Sequence, residues 1–258
     1  MTAKSIPPSY QDIVQSYNLT MLMSPGDWSL TSGDLAMTKD GDIKVGDIAY
    51  NGLSRLVQTW RYNAPHLRYL FETTNEMLAR GESLHQKMNA ISEKSIDTHG
   101  RPDFAQFAAA FNAVREEQGV AAFGAATYSG CLMLVLSGAL QRFKDDIDAK
   151  GEWDKTEPLF NTHSVGAIIV AAANGFRHAD EWAKTHPPKP RQKASQDIIN
   201  GALSGLPLPD ELSPGRCVEV LQLLSGGDFE GLACNVFTFA HTLAHKIRTR
   251  EGSTSAKG

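Results

Sequence analysis

Residues 174–186, NGFRHADEWAKTH, crowd an amide, a guanidinium, two imidazoles and several carboxylates into a stretch that follows an alanine-rich, apolar run. On a helix, at about 100° per residue, Asn174, His178, Glu181 and Thr185 fall on one stripe, with Arg177 and Trp182 on its flanks. Ile169, Ala172, Phe176, Ala179 and Ala183 take the opposite side. Such a front face has the parts for phosphodiester chemistry without a metal or cofactor. His178 can accept or donate a proton near neutral pH. Arg177 can stabilise the extra charge on a pentacoordinate phosphate. Asn174 or Glu181 can hold the imidazole in one tautomer. Lys184, His186, Lys189, Arg191 and Lys193 follow as a basic cluster able to grip the flanking backbone of a nucleic acid. The plainer alternative pairs Arg177 with Glu181 across one turn of a wet helix face, leaves His178 solvated, and uses Trp182 to cap the core.

The motif NGFRHADEW, followed by a break and a short helix, resembles one found in HEPN-type bacterial helical proteins. That resemblance spans about 40 residues of the 258. It implies an α-helical bundle and a metal-independent endoribonuclease of a toxin or phage-defence type, leaving a 2′,3′-cyclic phosphate. Arg177 would hold the phosphate, with His178 as the polar residue after it. It also implies RNA as substrate, a cognate antitoxin or other protein partner, and a homodimer in which two motif helices meet. The family's usual signature places a His four to six residues beyond its Arg. His186 lies further than that from Arg177, while Arg80–His85 and Arg61–His66 fit the bare spacing. The competing expectation is a non-catalytic interaction module, such as an antitoxin, an immunity protein or a scaffold.

Other chemistry-bearing residues are sparser. His241 and His245 stand one turn apart in HTLAH, half of a metal site with no Glu between them, and His163 is a distant candidate for a third ligand. They are read instead as a helix end whose basic groups oppose the dipole, so no metal is expected. Asp40 and Asp42 lack the distal Glu of a calcium loop and mark a turn. No glycine-rich phosphate loop or nucleophile elbow occurs. Cys131 reads as a core thiol, and Phe104, Phe107 and Phe111 as a core stripe.

These groups need a frame, and the composition fits a globular one: 41% hydrophobic and 21% charged residues in 258. The net charge of −4 gives no whole-chain reason to expect nucleic-acid binding, although a local basic patch still could. The 3 cysteines are widely spaced, which argues for a reducing compartment, and no secretory signal is visible, so a cytoplasmic protein is expected. Residues 120–140 are uncharged and nearly long enough to span a bilayer. Their many small residues favour a buried central helix, and no membrane association is expected.

The periodicity predicts an all-α helical bundle with a small N-terminal β-hairpin. Residues 9–23 read as a short helix, and 35–46 as a hairpin turning at Asp40–Gly41. A helix from residue 48 is expected to break at Pro65, which would begin a second helix ending near residue 91. Further helices are expected at 104–114, 120–146, 158–184, 191–203, 218–224 and 229–248. Two helical regions, 1–150 and 151–250, would divide at the connector 150–158, or form one domain, with a disordered tail at 251–258.

Overall fold

Two long helices carry the architecture. The computed structural model describes residues 29–30, 36–37, 48–94, 104–149, 151–184, 187–206 and 214–255. Helix α1 runs Ile48–Lys94 over 47 residues, and α2 runs Phe104–Asp146 over 43, so each is about 65–70 Å long at 1.5 Å per residue. They form an antiparallel hairpin. Arg55 Nε meets Asp146 Oδ2 at 2.8 Å near its base, and Arg80 meets Glu117 at 3.5 Å further out. The remaining helices are α3 (Val165–Arg177), α4 (Ala179–Lys184), α5 (Pro190–Ala202), α6 (Cys217–Ser225) and α7 (Phe229–Ser255). The expected all-α architecture is therefore present, with two-stranded antiparallel ribbons as its only sheets among the described residues.

Several elements differ from the sequence reading. Pro65 lies inside α1 instead of dividing it. The ring is on the exposed side, while Trp60, Ala64 and Leu67 are buried on the core side of the same helix. Packing on both sides of the proline outweighs the one missing backbone donor. Likewise, 104–114 and 120–146 are one helix, because the intervening charged residues simply face out. Strand β1 (Ser29–Leu30) pairs with β2 (Ala36–Met37), Ser29 opposite Met37. Ala36–Met37 is thus the second strand of its ribbon and not the first strand of a turn at Asp40–Gly41. Residues 38–47, and the helix expected at 9–23, lie outside the described residues.

The helix expected at 158–184 is the largest correction. Its first residues form a ribbon, β3 (Leu159–Phe160) against β4 (His163–Ser164), turning at Asn161 with φ +56°. Ser164 then caps α3, its hydroxyl accepting from Ala167 N at 3.2 Å. Asn161 also reaches across the fold, its side-chain amide donating to Gly201 O at 2.8 Å and Ala202 O at 3.2 Å, so the ribbon ties down the last turn of α5. Gly226, with φ +61°, ends α6 as expected of SGGD. Helix α7 continues to Ser255, through most of the segment expected to be disordered, and 256–258 lie outside the described residues.

One contiguous core draws on α1 to α7. Trp60 packs on Phe229 and Phe237 with ring centroids 5.8 and 5.1 Å apart, and Trp153, in the connector, meets Phe239 edge-on at 5.0 Å. Such aromatic pairs each add about 0.5–1.5 kcal/mol beyond their buried area. Of the apolar stretch 120–140, Leu132, Met133, Leu136 and Leu140 are buried in this core, whereas Val120 and Phe123 are 70% and 74% exposed. By length and composition α2 could cross a membrane. The core takes in α1 as far as Phe71 and α2 from Leu132 onward. Beyond those points the two helices continue as an arm of about 30 Å, with Leu84 and Met88 buried in its seam.

Candidate active site

Helix α3 is apolar along almost its whole length: Val165 to Ala173 are buried but for Val170. Its far end is where polar groups emerge. At His178 the backbone leaves the helical region (φ −113°, ψ 17°), yet His178 N still bonds Asn174 O at 3.1 Å and Trp182 N bonds His178 O at 2.9 Å. The one-turn spacing of Asn174, His178 and Trp182 therefore survives the junction of α3 with α4. The junction is seated by a backbone-to-backbone approach. An alanine at Gly175 would place its Cβ 2.7 Å from Gly215 Cα, and Gly215 itself has φ +64°. Only glycines let the turn Pro214–Arg216 lie this close to α3. Cys217, just after it, is buried with its Sγ 3.5 Å from Ala172 O. Burial above all, then Glu219 and Cys131, pushes its thiol pKa far up, so it is a packed thiol and not a nucleophile.

A cleft of about 330 Å³ opens between this junction and the first turns of α5, lined by Asn174, His178, Glu181, Trp182, Lys189, Arg191, Gln192 and Ser195. His178 Nδ1 lies 3.3 Å from Glu181 Oε2, the side chains being 40% and 75% exposed. A carboxylate there favours a proton on Nδ1 and leaves the Nε2 lone pair free. The rings of His178 and Trp182 are nearly parallel, tilted 16° with centroids 6.4 Å apart. Trp182 also binds the opposite wall through its carbonyl, which accepts from Gln192 Nε2 at 3.4 Å.

The stripe Asn174–His178–Glu181 is thus brought together as the sequence predicts, with Glu181 the carboxylate beside the imidazole. Arg177 is not part of it: it is exposed and does not line the cleft. Adjacent residues on a helix diverge by about 100°, so Arg177 and His178 cannot both face one narrow cleft. The cations that do line it are Lys189 and Arg191. Lys184 is exposed outside it, Lys193 is paired with Asp197 at 3.1 Å, and His186 and Thr185 lie outside the described residues.

Trp182, Gln192 and Ser195 were not singled out as site residues by sequence reasoning. A signal existed for two of them: Gln192 and Ser195 occupy the α5 stripe that Ile199 and Ala202 continue into the core. Polar residues at core-facing positions mark a site or a network. The back face of α3, with Ile169 and Ala172, is fully buried by the protein's own elements.

The other candidates do not assemble. Arg80 pairs with Glu117 on the arm, and His85 and His66 are exposed. His163 packs against Gly201 of α5. Among the described residues no group of three or more His, Cys, Asp or Glu could hold a metal ion, so His241 and His245 find no third ligand there. Comparison with protein-family models, with curated proteins and with solved structures finds no match to this chain.

Proposed function

We propose that the cleft binds the backbone of RNA and cleaves it without a metal. The observation that carries this reading is an imidazole backed by a carboxylate, facing the same cleft as two cations. Lys189 and Arg191 hold the phosphate, the task that the sequence alone assigned to Arg177. His178 Nε2 takes the proton from a ribose 2′-hydroxyl, and Glu181 steadies the imidazolium that forms. The 2′-oxygen bonds to phosphorus, the bond from phosphorus to the 5′-oxygen breaks, and that oxygen takes a proton from solvent. The products are a 2′,3′-cyclic phosphate and a 5′-hydroxyl. Asn174, on the same wall, donates to the phosphate oxygens as charge builds on them. An activity of this kind harms its own cell unless restrained, so a toxin or defence role with a cognate protein inhibitor belongs to the reading.

The test is direct. Mixed RNA incubated with the protein and a chelator is cut by the wild type, and cutting falls at least about 100-fold in His178→Ala, the scale of a lost general base. Arg191→Ala lowers it as well, whereas Arg177→Ala leaves it nearly intact. RNA that stays whole with the wild type ends this reading.

A second reading has its own observation. Val120 and Phe123, one turn apart and both exposed, give the arm an apolar spot suited to a protein partner. On that reading the protein is a non-catalytic antitoxin, immunity or scaffold module.

A further inference from the structure

The proposed cleavage chemistry leaves two groups of the cleft unused. Gln192 and Ser195 stand one turn apart on α5, with only 5% and 8% of their surfaces exposed, and both line the cleft. Buried polar groups need hydrogen-bond partners. Gln192 meets half of that need, since its Nε2 donates to Trp182 O at 3.4 Å. This fixes the amide with Oε1, an acceptor, left over. Ser195 differs from the helical hydroxyls of Thr59, Thr74, Thr127 and Ser129. Each of those donates to the carbonyl four residues back. The Ser195 hydroxyl makes no such bond, and among the described residues neither it nor Gln192 Oε1 has a partner within the chain.

The cleft therefore combines three features: an aromatic face at Trp182, a buried acceptor beside a hydroxyl, and the exposed cations Lys189 and Arg191. A nucleotide has the matching parts, namely a flat base with polar atoms on its edge and a phosphate. About 330 Å³ holds one small ligand of that size. We infer that the cleft takes a single unpaired nucleotide, its base lying on Trp182 and its edge hydrogen-bonded to Gln192 Oε1 and Ser195 Oγ. A base-paired edge is already occupied, so the substrate class is single-stranded nucleic acid. This rests on the RNA reading above and adds to it a base-recognition wall.

Isothermal titration of the full chain tests it, using nucleoside monophosphates, nucleosides and inorganic phosphate as separate probes. The expected result is binding of the monophosphates, with inorganic phosphate at least tenfold weaker. Ser195→Ala and Gln192→Leu each weaken monophosphate binding about tenfold and leave phosphate binding unchanged. The inference is overturned if the wild type binds inorganic phosphate as tightly as any monophosphate, or binds no monophosphate. It is also overturned if both variants, folded by their thermal transitions, retain wild-type affinity. The wild-type comparison decides alone if a variant does not fold. Monophosphate binding without RNA cleavage removes the nuclease and keeps the base-recognition wall. Cleavage of single-stranded and duplex RNA at equal rates, without monophosphate binding, does the reverse.

Discussion

At the scale of single residues, the imidazoles show how differently one side chain is used. His178 sits at a helix junction beside a carboxylate and a cleft, whereas His241 lies on α7, half-buried. Burial, and then the nearby His245, hold the His241 pKa below the usual histidine value. The consequence for stability has a definite sign. Above the ordinary value of about 6.5 the imidazole is neutral in both folded and unfolded chains, and this contribution is fully present. As pH falls below that value the unfolded chain takes up the proton first, and stability declines until the depressed folded value is passed. We expect the thermal midpoint to fall between about pH 7.5 and pH 5.5, and to fall less in His241→Gln. A midpoint with the same slope in both proteins would contradict this. The sequence made part of this scale legible. Asn174, His178 and Glu181 share a stripe because helix geometry is the same everywhere. That Gln192 and Ser195 would face them depends on how α5 docks, which no local pattern encodes.

Elements obey packing before propensity here. Pro65 is a strong break signal, and the signal is overruled because Trp60, Ala64 and Leu67 bury one continuous stripe across it. The helix keeps a local penalty that can be measured. Pro65→Ala restores a donor for the Arg61 carbonyl and should raise stability by about 2 kcal/mol, the helix-interior penalty of proline less its rigidifying effect on the unfolded chain. Chemical denaturation reads this directly, and an unchanged midpoint would mean that α1 carries no such penalty. The ribbon at 159–164 escaped the sequence reading for a different reason. Six residues are too few for a period to declare itself, and the apolar run after Ser164 invites extension of the helix backward. Asn161 and Ser164 were the usable signs, one a residue that tolerates positive φ and the other a helix cap.

On the scale of the whole molecule, the fold class followed from composition and period, while the meaning of the uncharged stretch 120–140 did not. Part of it belongs to the core and part to the arm, a division set by where α3, α6 and α7 end and not by any change in hydropathy. The arm is the one region whose inner face meets only itself. Phe107, Phe111, Val114, Gln118 and Ala121 line its seam on α2 at alternating steps of four and three, the repeat of a coiled coil. Phe107 and Phe111 stack at 5.1 Å along that seam.

That repeat makes the arm's reach adjustable in whole units. Excising seven residues from each helix at opposing positions, 85–91 and 107–113, leaves every remaining knob facing its hole and should yield a shorter arm on an unaltered core. Excising four from one helix alone turns the seam outward, and the shortened protein should lose solubility. Circular dichroism and cleft titration of the two deletion proteins separate these outcomes. Natural variation in such a chain would then be expected to lengthen or shorten this lever by heptads, with the pocket residues far from it left in place.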